Sequence, residues 1–198
     1  MITISKPTPK QVEIYLKKWK KLKNYPEQES CIQKLFRKTH PKNNDLDDIL
    51  AKIGVLDSFY STTLKRYGTV VGLAKHILTL NFDSRIKAGD LSLIENFCNC
   101  KEMNRNPYSF ATKYCHHHNP DQFPVYDKFV AKILWHFHKQ DSFFNSDGGK
   151  SKLKKDDLKN YSTFFDVMTQ FREYYGLTDY NFWQLDKYLW LLGKDSFQ

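Results

Sequence analysis

The chain has 198 residues, 40% of them hydrophobic and 16% aromatic, and carries a formal net charge of +9 from 31 basic against 22 acidic side chains. That length fits one domain with a full core, and 15 Phe with 12 Tyr exclude a disordered chain. No run of about 18 apolar residues occurs, which excludes a membrane-spanning helix, and the basic surplus points to a polyanionic partner such as nucleic acid, with solvated lysine faces as the plain alternative.

Thr8 and Pro9 mark a helix start, after which Val12, Tyr15, Leu16, Trp19 and Leu22 recur at helical spacing opposite a lysine face. The opening segment MITISKPTPK has no apolar signal core, so a cytoplasmic location is expected. In a reducing compartment Cys31, Cys98, Cys100 and Cys115 are expected as buried thiols rather than disulfides. Tyr25-Pro26 breaks the first helix and opens a second, with Ile32, Leu35 and Phe36 inward and a stop before Pro41. Asn44 or Asp45 caps a third helix through Asp48, Leu50 and Ile53, followed by the segment 57–67. Thr69 opens a helix with Val70, Val71, Ala74, Ile77 and Leu78 facing inward. A turn is expected at 81–85, then a helix from Asp90 or Ser92 carrying Leu91, Ile94 and Phe97, and a polar loop over 99–107. Residues 107–138 read as a helix, a proline-rich corner and a second helix. Residues 141–155, with two glycines, read as an exposed, mobile loop. Helices over 161–175 and 179–192 close the chain, separated by Gly176. No alternating pattern of useful length appears, so the fold class is all-α.

In the helix after the corner, Val130, Ile133, Leu134 and Phe137 form the buried face, and Asp127 lies at the first turn. A carboxylate there is favoured by the helix dipole and can accept backbone N–H groups, which makes it a cap. It can equally serve as a fixed anion at the edge of a cleft, stabilising a developing cation or orienting a water. His116, His117 and His118 beside Cys115, with Cys98 and Cys100 upstream, invite a zinc reading. The spacing does not match C-x₂₋₄-C, and consecutive helical residues point about 100° apart. No metal is expected, and the histidines are read as a helix C-terminus favoured by the dipole. The sequence holds no Walker-type loop, G-x-S-x-G elbow or H-E-x-x-H, so no small-molecule cofactor is expected.

The segment FPVYDKFVAKIL, residues 123–134, resembles the catalytic segment of helix–hairpin–helix (HhH-GPD) DNA glycosylases, which reads P-[VIL]-x-D-x-x-V-x-R-[VL] or close to it. That family's hairpin, L-P-G-V-G-x-[KS]-T-A, places a Lys or Ser 18 residues before the aspartate; here this is Ser109 in PYSFATKYC, with Ala111 at the motif's alanine. Residues 73–97 resemble the family's lead-in, so the resemblance spans 73–137, a third of the chain. The departures are Arg105, Asn106 and Pro107 where the hairpin glycines stand, and no cysteine after Cys115, so the iron–sulfur signature is missing.

The resemblance implies a single all-α domain over 1–198 with two lobes and a cleft between them. The N-terminal helix and the C-terminal helices form one lobe and the middle helices, about 45–125, the other. It implies DNA as partner and a monofunctional N-glycosylase in which Asp127 stabilises an oxocarbenium-like sugar and helps water release the base. With Ser109 at the Schiff-base lysine position, no β-lyase activity is implied. Such enzymes flip a base into a pocket and fill the gap with a wedge. Candidates for substrate, pocket or wedge are Ser109, Phe110, Tyr126, Tyr60, Thr62, Thr63 and Tyr67, and Lys65, Arg66, Lys113 and Lys128 are candidate phosphate contacts. The plain reading of each is a core side chain or a solvated charge. Two further functions share this fold: a non-catalytic nucleic-acid-binding protein, and a protein-interaction module.

Overall fold

The computed structural model describes residues 4–145 and 153–197. Among these the regular structure is helical, as the all-α class requires, and the one strand-like feature is an isolated antiparallel bridge between Gly68 and Met103. The chain forms two compact units, one of Lys23–Phe123 and one of Met1–Leu22 with Pro124–Gln198.

The discontinuous unit contains α1 (Pro9–Trp19), α8 (Lys128–Asp141), a 3₁₀ turn (Lys155–Lys159), α9 (Tyr161–Tyr174) and α10 (Phe182–Phe197). α1 starts at the expected punctuation: Pro9 opens the first turn and the Thr8 hydroxyl accepts from the Gln11 N–H at 3.2 Å. It buries Val12 and Trp19. The Tyr15 ring meets Tyr188 of α10 edge-on at 5.5 Å, and the Tyr188 hydroxyl donates to Gln11 Oε1 at 2.7 Å. α8 buries Val130, Ala131, Ile133, Leu134 and Phe137. α10 comes close to α8 at Gly193, where a Cβ would lie 2.7 Å from Phe129 Cβ.

The exposed loop expected at 141–155 is corrected where its described residues are buried or helical, while Ser142, Asn145, Lys154 and Lys155 are exposed. Asp141 closes α8, Phe143, Phe144 and Leu153 are buried, and Lys155 opens the 3₁₀ turn. Burial of the two Phe rings, with Phe143 5.4 Å from Phe171, ties the start of this segment to α9. Residues 146–152 lie outside the described residues.

The continuous unit runs α2 (Tyr25–Lys34), a π turn (Leu35–Thr39), α3 (Leu46–Tyr60), a 3₁₀ turn (Leu64–Arg66), α4 (Val70–Leu78), α5 (Phe82–Ala88), α6 (Ser92–Cys98) and α7 (Tyr108–His118). Asp45 caps α3 by accepting from the Asp47 and Asp48 N–H groups at 2.9 and 3.0 Å, and Thr69 caps α4 through the Gly72 N–H at 3.0 Å. α4 is rotated from the expected face. Val71 and Leu78 are 46% and 37% exposed, while Gly72 and Leu73 are buried. Gly72 allows the rotation: a Cβ there would sit 2.5 Å from the Glu102 Cβ, so the loop after α6 packs where a side chain would stand. The turn expected at 81–85 is helical, because Phe82 and Ile86 bury one face of α5.

α7 is buried along most of its length, every residue from Phe110 to His117 being buried. Tyr114 is its centre, with Phe36, Phe82 and Phe97 rings at 5.2, 5.4 and 5.6 Å. All four cysteines are free, but Cys31 is exposed and Cys98 only partly covered, against the expected burial of all four. Burial pushes the Cys98 thiol up to about 12 and the Cys115 thiol well above its ordinary value, so both stay protonated.

Candidate functional site

Ser109 stands in the first turn of α7 and Lys113 one turn later, on the same side of the helix. The Lys113 ammonium donates to Ser109 Oγ at 2.6 Å and lies 5.0 Å from the centre of the Tyr60 ring, at the end of α3. Tyr60 Oη is 3.0 Å from His117 Nε2, and Arg37 Nε donates to the His117 carbonyl at 3.3 Å. Three residues singled out separately in the sequence, Tyr60, Ser109 and Lys113, thus form one polar cluster inside the continuous unit. Lys113 is only 4% exposed, so it is neither a solvated charge nor an outward phosphate contact. A desolvated ammonium is tolerated there because hydroxyl, carbonyl and aromatic π electrons surround it.

Phe110 is 2% exposed and packs on Phe97 and Tyr114, which makes it core rather than pocket. The Thr62 hydroxyl donates to the Asp57 carboxylate, which also accepts from the Leu64 N–H at 3.0 Å, and so closes the end of α3. Thr63 follows with φ 55° and an exposed side chain.

The histidines diverge. His116 Nδ1 donates to the Phe123 carbonyl at 2.7 Å, His117 meets Tyr60, and His118 Nε2 lies 3.2 Å from Asn43 Nδ2. Burial, reinforced by His116 beside His117 and by Lys52 beside His118, drives the last two well below the usual imidazole range. Both are neutral, so favourable pairing of positive imidazoles with the helix dipole does not account for them. Among the described residues no three His, Cys, Asp or Glu side chains are arranged to hold a metal.

A second cluster lies at the surface of the same unit. The Gly68–Met103 bridge, with the Asn104 N–H donating to the Tyr67 carbonyl, ties the Leu64–Arg66 turn to the loop over 99–107. Gly68 is required there, since at its φ of 155° a Cβ would meet Glu102 and Met103 backbone atoms. The Arg105 guanidinium sits 5.1 Å from the Tyr67 ring centre and donates to its hydroxyl at 3.3 Å. Lys65, Arg66, Lys101 and Arg105 are all exposed on the two joined segments. Sequence reasoning had Lys65, Arg66 and Tyr67 but took Arg105 only as a missing glycine; Gly68 beside Tyr67 was the signal that this turn accepts a close neighbour.

In the discontinuous unit Asp127 is the N-cap of α8, its Oδ1 accepting from the Phe129 N–H at 2.8 Å. The cap is therefore real, and it also fixes the carboxylate at the helix N-terminus. Tyr126 packs edge-on to Phe164 at 5.4 Å, and burial raises its phenol. Lys128 is exposed, its ammonium 4.9 Å from the Phe129 ring centre.

An all-helical chain in two units, with a part-buried Ser–Lys–Tyr cluster and no described helix long and apolar enough to cross a membrane, defines the class of protein. The family model HI_0787_N, described as an N-terminal domain, matches residues 11–122, and the chain belongs to that family. An uncharacterised protein of Haemophilus influenzae (strain ATCC 51907 / DSM 11121 / KW20 / Rd) is 39% identical over 155 residues, covering 77% of this chain and 69% of the relative. No solved structure matches the chain.

Proposed function

We propose that the chain binds nucleic acid through phosphate contacts made by Lys65, Arg66 and Arg105. The observation that carries this reading is the bridge between Gly68 and Met103, which joins two basic loop segments into one exposed surface. The net charge of +9 acts in the same direction. Phosphate contacts supply affinity and salt dependence rather than sequence choice. Titration of labelled duplex and single-stranded DNA at rising salt tests it. Lys65→Glu, Arg66→Glu and Arg105→Glu together should weaken binding and lower the slope of log K against log salt by about 2 to 3. Absence of binding at low salt overturns the reading in favour of a protein-interaction module.

A second reading, a monofunctional DNA N-glycosylase, is favoured by the fixed position of Asp127. In it the carboxylate stabilises the cationic sugar as the glycosidic bond lengthens and orients the water that attacks it. Asp127→Asn is a clean probe because Asn caps a helix as well as Asp. The variant should remain folded, with native helix content by circular dichroism, and lose base release from a panel of damaged and mismatched duplexes. Equal release by variant and parent removes Asp127 from the chemistry.

A further inference from the structure

On the continuous unit a hollow of about 470 Å³ opens between the π turn after α2 and the helix α5. Its wall carries three cations, Arg37, Lys42 and Lys87, and one carboxylate, Asp83, with His118 beside them. None of these residues takes part in the basic surface around Tyr67 or in the capping of α8.

The polar floor is held together by its own hydrogen bonds, with acceptor capacity left on Asp83 Oδ2. Asn43, 5% exposed, is its hub. Its backbone N–H donates to both Asp83 oxygens at 3.1 and 3.0 Å, and its side-chain amide donates to Asp83 Oδ1 at 2.7 Å. Its amide oxygen accepts from the Lys52 ammonium at 2.7 Å and from the Tyr114 hydroxyl at 2.6 Å. The same amide group reaches His118 Nε2, so Nε2 accepts and the proton of this neutral ring is on Nδ1. Lys52 has no exposed surface and also donates to the Lys42 carbonyl at 2.6 Å. Burial lowers its ammonium to about 8, with Asp83 and Asp48 acting against the shift.

We propose that this hollow is a binding site for a phosphate monoester. Arg37, Lys42 and Lys87 line the hollow together and offer a dianion three positively charged donors. Asp83, held in place by Asn43, can accept from a hydroxyl of the ligand. The volume exceeds that of an inorganic anion, so the phosphate would carry a hydroxylated body, with Phe36 and Ile86 as the apolar wall. The monoester could belong to a free sugar phosphate or to the 5′-phosphate end of a nucleic-acid strand; both present the same charge and geometry.

Calorimetric titration of the full chain distinguishes the two sources. The probes are ribose 5-phosphate against ribose, and a short single-stranded DNA with a 5′-phosphate against the same strand with a 5′-hydroxyl. Binding of ribose 5-phosphate but not ribose supports a free ligand; a tenfold or greater preference for the 5′-phosphorylated strand supports a strand end. In either case Lys42→Glu with Lys87→Glu, both exposed positions, should weaken that binding at least tenfold at an unchanged melting temperature. The charge reversals at Lys65, Arg66 and Arg105 should leave the preference for phosphate intact, so failure of the nucleic-acid reading is separable from failure of this one. The proposal is overturned if neither phosphorylated probe binds better than its phosphate-free counterpart, or if the lysine reversals leave the preference unchanged.

Discussion

The two neutral histidines of α7 set the pH behaviour of the continuous unit. His117 and His118 have folded values well below 6.5, whereas in the unfolded chain they take protons at their ordinary value. Below about pH 6.5 the unfolded state therefore binds more protons than the folded state, and stability falls as the pH falls. With both groups contributing, the slope approaches about 2.7 kcal/mol per pH unit. Urea unfolding at pH 7, 6 and 5 should show this loss. His118→Gln keeps an acceptor for the Asn43 amide and removes one titrating group, so its slope should drop by about one proton. An unchanged slope would mean that His118 is not buried in its neutral form. Lys113 illustrates a related point at the same scale. Ser109 lies one turn away on its own helix, but the Tyr60 ring that covers it comes from α3, so the local sequence does not mark it as different from an exposed lysine.

At the scale of elements, the contact of α10 with α8 depends on a missing side chain. Gly193 faces Phe129, and a Cβ there would also come within 2.9 Å of the Phe129 carbonyl oxygen, a backbone atom that cannot swing aside. Gly193→Ala should cost about 1–3 kcal/mol through overpacking, despite the better helix propensity of Ala. Thermal unfolding checks the sign: a higher melting temperature would show that the two helices can separate at no cost. This contact also shows what the sequence makes legible. Caps at Thr8, Asp45, Thr69 and Asp127 were readable because each works within three residues of itself. The face of α4 was not, because Glu102 packs against Gly72 from 30 residues away and turns Val71 outward. α5 was missed because its seven residues are too few for a periodic signal and its Phe82 and Ile86 need Tyr114 and the surrounding core as partners. The candidate site was legible as residue types and not as a place: Tyr60 meets the Ser109–Lys113 pair only because α3 and α7 pack together, and Arg105 joins Lys65 and Arg66 only through the bridge at Gly68.

For the whole molecule, the chain path makes α1 more than a terminal appendage. The discontinuous unit takes its first helix from the N-terminus and the rest from residues beyond Phe123, so the continuous unit is inserted into it. The family match, over 11–122, includes most of α1 and nearly all of the continuous unit but not α8, α9 or α10, against which α1 must be judged. Two kinds of contact hold α1 to α10. One is the exposed ion pair Lys18–Asp195 at 2.6 Å, both side chains over 40% accessible. The other is buried packing: Val12 with no exposed surface, Trp19 edge-on to Trp190 at 5.8 Å, and the Tyr188 hydroxyl on Gln11. Exposed pairs contribute about 0–1 kcal/mol, whereas burying side chains such as Val and Trp contributes about 1.5–3 kcal/mol each. Lys18→Ala should therefore unfold within about 1 kcal/mol of the parent. Deleting residues 1–22 should cost several times more and leave the indole of Trp190 in water, seen as a red shift of tryptophan emission. If the ion pair dominated, Lys18→Ala would reproduce most of the loss caused by the deletion, and raising the salt concentration would destabilise the parent by a similar amount.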